Sequence, residues 1–383
     1  MASITSNPSS RSISNTLPTL LFILISALSL YGMRLSPVTH VMAEIFRDMW
    51  STPDFYWPTN GVLARKVYTG IPLVDYFLKV LGTAFLPGSA GWERKLWLLH
   101  VEFLVSFGAV VGVLNVEAGR RGNQGRWIAY TSLWSLLYQN GGAVVLPIYY
   151  ILHARATSSS PSSFHPSSQL LPTPLASTLN TAMLLGYWIP TFFLLYPLQD
   201  PDVKQLVIAV WQFSPMYVNL IWWIESQLTE STTTTTTSSS AKGKGGRSDL
   251  PSLRVLYATI ITICTTTHLG VISSILTTTD PGVSFSSVYL LHYRSIFTPY
   301  ESLHYIFQVD FWGIFLATGI WSLVGVRDLR NLGITDVGYV SATVGLGVVS
   351  VLAGPGAAVA GFWWWREEKL AGIPIAGGDG KGK

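Results

Sequence analysis

The chain carries a series of apolar stretches, most of them close to twenty residues long, separated by shorter polar connections. A helix needs ~20 apolar residues to cross the hydrocarbon core of a bilayer, where it satisfies its own backbone hydrogen bonds. The composition agrees, because 49% of the 383 residues are hydrophobic and only 11% are charged, which is too apolar for a soluble domain. The sequence therefore predicts an all-α, polytopic transmembrane helix bundle with eight or nine spans.

Hydropathy and low-complexity composition divide the chain into consecutive segments. They are a disordered N-terminal tail (1–16), helices one to four with an aromatic first loop (17–154), a Ser/Pro linker (155–173), helices five and six (174–226), a Thr/Ser/Gly low-complexity loop (227–250), helices seven to nine (251–366) and a polar C-terminal tail (367–383). Helix four is predicted over Trp127–Leu152, helix eight over Leu303–Val324 and helix nine over Val337–Trp365. Helix two, predicted over Pro72–Leu86, is the weakest because it contains Asp75 and Lys79.

The order of the predicted spans places two acidic residues on one side of the bundle. If every helix spans, Glu117 stands at the exit of helix three, and Asp310 lies ~10 Å into helix eight from the same side, at 1.5 Å per residue. We therefore expect these two carboxyl groups to share one membrane face. Basic residues are spread over both faces, so the positive-inside rule does not orient the chain.

Asp310 is the acidic residue within the apolar stretch of helix eight, in the segment Gln308-Val309-Asp310-Phe311-Trp312. A carboxyl in hydrocarbon costs roughly 2.5–3.5 kcal/mol on insertion scales, so an intramembrane acid is a functional hypothesis. Removed from water, it resists ionisation and can remain a proton donor near neutral pH. Aromatic residues make up 13% of the chain, and their faces stabilise cations by roughly 0.5–2 kcal/mol each. The pattern suits protonation of a lipophilic substrate followed by carbocation chemistry.

Four motifs resemble those of the membrane-bound terpene cyclases of fungal meroterpenoid biosynthesis, and most closely the longer cyclases of ascochlorin- and ascofuranone-type pathways. The resemblance covers nearly the whole chain outside the two linkers. The motifs are Val116-Glu117-Ala118-Gly119-Arg120-Arg121-Gly122-Asn123, Tyr68-Thr69-Gly70-Ile71-Pro72 with Asp75, Gln139-Asn140-Gly141-Gly142-Ala143 followed by Leu146-Pro147-Ile148-Tyr149-Tyr150, and Val309-Asp310-Phe311-Trp312.

The resemblance implies that Glu117 and Asp310 act in protonating a terminal epoxide or olefin of a prenylated, often farnesylated, aromatic or polyketide substrate. Acid opening of the epoxide then starts ring closure, a base removes the last proton, and there is no net redox change. It also implies a multi-pass protein of the endoplasmic reticulum membrane, with a prenyltransferase and an epoxidase as functional neighbours. The Ser/Thr insert and the Gly354-Pro355-Gly356 break depart from the family pattern, so no particular ring product follows.

Several motifs of other chemistries are missing from the sequence. Ionising an allylic diphosphate needs clustered carboxylates that hold Mg²⁺, and the nearest sequence is Asp200-Pro201-Asp202, which is typical of a helix-capping turn. There is no phosphate-binding G-x-x-x-x-G-K-[ST] loop and no pair of histidines at i, i+4 spacing of a metalloenzyme type. A net charge of only +4 gives no nucleic-acid footprint. We expect no metal, no cofactor and no nucleic-acid partner.

Each candidate residue also has a structural interpretation. Asp310 can be a buried acid that only positions helix eight. Glu117 can be a salt-bridged helix end beside Arg120 and Arg121. Glu102 is a weaker catalytic candidate and fits a polar contact between helices, and Asp75 fits a helix-start acid favoured by the helix dipole.

Five residues are predicted to contact the substrate. Trp57 and Tyr68 belong to the aromatic first loop and also fit an interfacial aromatic belt. Asn140 can orient an acid by hydrogen bonding, or simply pack beside the following glycines. Phe311 and Trp312 flank Asp310 in the sequence.

Two classes of function remain open. The first is a metal-independent membrane cyclase, and the second is a membrane carrier or lipid-handling protein whose intramembrane acid binds a cation or relays protons. Composition alone favours the carrier, and the resemblance favours the cyclase.

Overall fold

The computed structural model describes residues 15–158, 161–236, 247–292 and 298–373, and within these ranges it contains helices and no β-strand. The all-α class is therefore confirmed. Most of the predicted N-terminal tail, part of each low-complexity segment and the end of the C-terminal tail lie outside the described residues. The α-helices are α1 (Thr16–Leu30), α2 (His40–Ser51), α3 (Pro72–Ser89), α4 (Arg94–Gly119), α5 (Thr131–Gly141), α6 (Leu146–Thr157), α7 (Pro166–Gln169), α8 (Thr173–Met183), α9 (Ile189–Leu195), α10 (Pro201–Trp211), α11 (Ser214–Thr236), α12 (Leu250–Thr277), α13 (Phe285–Tyr289), α14 (Pro299–Asn331), α15 (Tyr339–Ala353) and α16 (Pro355–Ala371).

The described residues contain fewer long apolar helices than the eight or nine spans that hydropathy predicts. Five helical segments are long and apolar enough to cross a membrane, and α10 with α11, bent by 53°, would add a sixth. The five are Thr16–Ser51, Arg94–Gly119, Pro166–Leu195, Leu250–Thr277 and Pro299–Asn331.

The predicted fourth span is not one helix but a hairpin of two short helices. α5 and α6 are joined by a 3₁₀ turn at Gly142–Val144. They run antiparallel, because Trp134 on α5 packs edge-on against Tyr149 on α6, with ring centroids 5.2 Å apart. Both ends of the hairpin therefore lie at the same end of the bundle, and its tip lies within the bundle.

The tip requires glycine at position 142. Gly142 has φ +44°, a conformation that side-chain-bearing residues rarely adopt. A Cβ atom there would also collide with the carboxylate of Asp310, which is packed directly against the tip. The Gly141-Gly142 pair thus reverses the chain where a continuous helix was predicted.

The predicted ninth span is a second hairpin. α15 and α16 meet at Gly354, which has φ +92°, and the chain turns back there. Arg330 at the end of α14 lies over the ring of Tyr339 at the start of α15 (5.0 Å), and the end of α16 returns to the same end of the bundle. The Gly-Pro-Gly sequence reverses the direction of the chain, whereas it was interpreted as a break within one span.

The first hairpin changes the relative direction of α4 and α14. These helices run parallel, since His100 packs against Phe307 (4.2 Å between centroids) and, further along, Phe103 packs against Phe311 (5.9 Å). The hairpin removes one crossing of the bundle between them. The prediction that Glu117 and Asp310 share one face is therefore wrong, because it counted the hairpin as a span.

The tip geometry gives a direct test. We expect Gly142→Ala to destabilise the protein by roughly 1–3 kcal/mol, because it adds backbone strain and a clash with Asp310. Thermal unfolding of the detergent-purified protein measures this. The matched control is Gly270→Ala in α12, where an added Cβ atom meets no atom within 4 Å and helix propensity improves. Equal melting temperatures for Gly142→Ala and the wild type would contradict the described tip.

Candidate active site

Asp310 faces a cavity of about 320 Å³ formed by α2, α3, α14, the π-helical turn Tyr31–Leu35 and the tip of the α5–α6 hairpin. It is the only carboxylic acid in the described lining. Its Oδ1 atom accepts a hydrogen bond from the backbone N–H of Ala143 at 2.6 Å. The tip of the hairpin therefore fixes the carboxyl group at the cavity wall.

Most of the cavity wall is apolar and aromatic. α2 contributes a stripe of side chains at helical spacing, and α3 and α14 supply the facing walls. The lining from these helices includes Thr39, Met42, Phe46 and Trp50 from α2 and its start, Tyr76, Val80 and Phe85 from α3, and Leu303, Ile306 and Phe307 from α14. An acid beside such a wall can transfer a proton to an apolar ligand with little competing water.

Glu117 lies elsewhere, in a buried cluster of charges at the end of α4. Its side chain is within ion-pair distance of Arg120 (3.0 Å) and Arg366 (3.4 Å). His153 and the indole N–H of Trp363 complete its contacts at 3.1 and 3.0 Å. Glu117 is fully buried, so these partners replace the water that a carboxylate requires.

The cluster extends to a second acid. Glu367 on α16 pairs with Arg120 and with Arg247, and Arg247 also pairs with Asp249 at 2.8 Å. The backbone carbonyl of Gln169 accepts a hydrogen bond from Arg120 at 2.7 Å. Gln169 belongs to the predicted Ser/Pro linker, so the described part of that segment packs into the bundle.

The structure does not bring the two predicted catalytic acids together. Trp321 on α14 donates to His153, which contacts Glu117, and Trp321 is eleven residues beyond Asp310. That separation corresponds to about 16 Å along the helix axis. Only Asp310 faces the cavity.

Of the five predicted substrate-contact residues, only Asn140 lines the cavity. Its side chain donates to the carbonyl of Leu136 on its own helix at 2.8 Å. The partner of Asp310 is instead the backbone of Ala143. Trp57, Tyr68, Phe311 and Trp312 lie outside this cavity, and each contacts other parts of the protein.

Trp57 is buried against Trp92 and Tyr300, with centroids 5.6 and 6.1 Å away. Phe311 packs in the core against Phe103, and Trp312 is partly exposed and donates to the carbonyl of Tyr289 at 2.7 Å. Neighbours of Asp310 in the sequence point to other faces of the helix because successive residues rotate by about 100°.

Tyr68 belongs to a loop organised by Asp75, which lies outside the candidate spans. Burial opposes ionisation of Asp75, but hydrogen bonds from Thr69, Tyr68 and Gly70 outweigh it and lower the pKa of its carboxyl below the usual value. Asp75 lies in the first turn of α3, as its interpretation as a helix-start acid requires, and its hydrogen bonds come from the preceding loop.

Glu102 lies at the tip of the second hairpin. Its Oε1 atom is 3.1 Å from Nδ1 of His268, whose Nε2 is 3.0 Å from the carbonyl of Val351. Glu102 therefore makes a polar contact between helices, which was the alternative to a catalytic role for this residue.

Sequence reasoning missed Arg34, Gln139, Trp50 and Tyr76 as lining residues. The prediction had an aromatic loop after the first helix, whereas helical turns and α2 continue to Ser51. The spacing of Thr39, Met42, Phe46 and Trp50 is the signal that could have identified this helix face.

The chain matches the CtvD domain family over residues 19–371 and therefore belongs to that family. It is 28% identical to terpene cyclase ascI of Acremonium egyptiacum over 227 residues, and this matched region is 56% of each chain. It is 28% identical over 229 residues to terpene cyclase sdgD of Emericella nidulans (58% of this chain, 59% of the relative).

It is also 22% identical over 284 residues to the FAD-dependent monooxygenase anuJ of Penicillium roqueforti, covering 73% of this chain and 33% of the relative. The matched region thus spans little more than half of the curated cyclases and a third of the monooxygenase. No solved structure matches the chain.

The different surroundings of the two acids predict different effects on stability. We expect Glu117→Gln to destabilise the protein by about 3–5 kcal/mol, because it removes one of the two acids that balance the buried Arg120 and Arg366 and leaves one positive charge uncompensated. Asp310→Asn should stay within about 1 kcal/mol of the wild type, since an amide oxygen can still accept from Ala143. Thermal unfolding in detergent compares them, with the exposed Glu44→Gln as control. Equal destabilisation by both variants would contradict the assigned contacts.

Proposed function

We propose that this protein is an integral membrane terpene cyclase that closes rings in a prenylated aromatic or polyketide intermediate of secondary metabolism. The observation that carries the proposal is a single acid, Asp310, facing an aromatic-lined apolar cavity. Membership of the CtvD domain family and similarity to proteins named terpene cyclases support it. The prenylated substrate and its origin from a prenyltransferase and an epoxidase rest on the family resemblance.

Surface composition supports the membrane location. Among the described residues of α15, none is buried, although most are apolar, and Val340 and Val351 are 77% and 73% exposed. The five long apolar helices have the length that a bilayer requires. Such a surface is stable in contact with lipid and would aggregate in water. The endoplasmic reticulum as its membrane rests on the family resemblance.

In the proposed reaction, the Asp310 carboxyl gives its proton to the oxygen of a terminal epoxide. The C–O bond breaks, which leaves a hydroxyl group and a carbocation. The π electrons of an internal alkene form the new C–C bond, and loss of a proton to a base ends the sequence. Substrate and product are isomers, and no electrons are exchanged; protonation of a terminal olefin would begin the same sequence.

The aromatic wall gives the cation apolar surroundings that stabilise its charge. Phe46, Trp50, Tyr76, Phe85 and Phe307 all line the cavity. Each face that meets the cation contributes roughly 0.5–2 kcal/mol.

We propose that Glu117 is a positioning residue in this reaction. Both of its oxygens face donors or cations from α4, α6 and α16. It holds the base of the α5–α6 hairpin, whose tip fixes Asp310. Loss of Glu117 is therefore expected to lower activity through structure, not through loss of a proton donor.

Conversion of substrate by microsomes tests the role of Asp310. The probe is an aromatic substrate with a terminally epoxidised farnesyl chain, and the product is measured by chromatography and mass spectrometry. Asp310→Asn should lower the rate of cyclisation by at least about 100-fold, as expected for loss of a general acid. The matched control, Asp336→Asn, alters an exposed aspartate outside the cavity and should retain the wild-type rate. Normal cyclisation by Asp310→Asn at equal protein level would refute the assignment.

A further inference from the structure

Arg34 is a charged residue in the middle of the apolar segment Thr16–Ser51. It belongs to the π-helical turn Tyr31–Leu35, and such turns are frequent at functional sites. Its side chain lines the same cavity as Asp310. Its side chain is exposed, so the guanidinium is accessible to an anion that enters this cavity.

The protein supplies Arg34 with only weak partners. Its guanidinium donates to the backbone carbonyls of Met33 (3.1 Å) and Asn140 (3.3 Å). Arg34 belongs to none of the ion pairs within 4 Å among the described residues. Asp310, which faces the same cavity, accepts from Ala143 instead. Arg34 therefore keeps donors available for an anion, and guanidinium groups bind planar carboxylates in a bidentate manner.

Arg34 and Asp310 lie close together at one end of the cavity. Both contact the reversal of the α5–α6 hairpin, at Asn140 and Ala143 respectively. The other polar amide there, Gln139, is hydrogen-bonded to Gln212 at 2.9 Å. The apolar part of the cavity extends along α2 from Thr39 to Trp50, about 16 Å at 1.5 Å per residue.

We propose that Arg34 binds an ionised carboxylate or phenolate on the aromatic head group of the substrate. The inference rests on the proposed cyclase function and names the head-group chemistry that this site selects. Because the reacting terminus must reach Asp310 at the same end, the prenyl chain binds folded back on itself within the apolar part. A folded chain brings its alkenes together, which is the arrangement that ring closure requires.

The test compares two substrates with the same prenyl chain, one with an ionisable head group and one whose acidic groups are blocked by methyl groups. They are a 2-hydroxybenzoic acid with a terminally epoxidised farnesyl chain and the corresponding methyl ester with its phenol also methylated. Microsomes contain the wild type, Arg34→Gln, Arg34→Lys or Arg47→Gln. Arg47 is an exposed arginine outside the cavity and provides the matched control.

We expect Arg34→Gln to raise KM for the acid at least 10-fold, which corresponds to 1.4 kcal/mol, and to change KM for the neutral substrate less than 3-fold. Arg34→Lys should keep a preference for the acid, and Arg47→Gln should match the wild type. Equal losses on both substrates would overturn the inference and indicate that Arg34 positions Asp310. Unchanged KM values for both substrates would also overturn it.

Failure of this inference is separable from failure of the proposed function. If the wild type converts neither substrate, the cyclase assignment fails. If the wild type converts both and Arg34→Gln shows no selectivity for charge, only the role of Arg34 fails. Thermal unfolding in detergent establishes that the Arg34 variants are folded.

Discussion

The architecture depends on a buried cluster of ion pairs around Glu117 and Glu367. These two acids share Arg120 and Arg366, and the pair Arg247–Asp249 joins the cluster through Glu367, so that three acids face three arginines. Removing one charge from such a cluster leaves its partners uncompensated in a medium of low dielectric constant. The members of the cluster lie at the end of α4, in the loop before α12, and on α16. Because α16 is the second arm of the second hairpin, the cluster fixes the base of that hairpin. Through His153 on α6 it also holds the first hairpin.

Both hairpins enter from the end of the bundle that carries this cluster. The glycine at the tip of each hairpin packs against an acidic side chain. Gly142 lies against Asp310, and Gly354 lies against Glu102. Irregular backbone is tolerated at such depth only where it is buried in protein or lines a cavity. The first tip does line one, and its free N–H group at Ala143 is used to hold Asp310. Cluster, hairpin and acid thus form one chain of contacts from the end of the bundle to the cavity.

Sequence predicted the helical class and the family, and it singled out Asp310, which the structure places at the cavity, because composition, motif spacing and an acid in an apolar run are local signals. It could not give the path of the chain. Hydropathy shows that Trp127–Leu152 is apolar but does not show that the chain reverses at Gly142. Counting this hairpin as one crossing placed Glu117 on the same face as Asp310. Phe311 and Trp312 were chosen as neighbours of Asp310 in the sequence, yet the cavity is completed by residues distant in the chain, such as Trp50 and Tyr76.

The central claim is that the cavity at Asp310 performs chemistry, whereas a carrier would only move its ligand. Turnover by the purified protein in detergent micelles, without sealed compartments or added metal or nucleotide, tests this most directly. The account predicts that the epoxidised prenyl substrate is converted to a cyclic isomer of identical mass. A folded protein that forms no isomer in micelles, yet accumulates the substrate in sealed vesicles in response to a pH gradient, would contradict it.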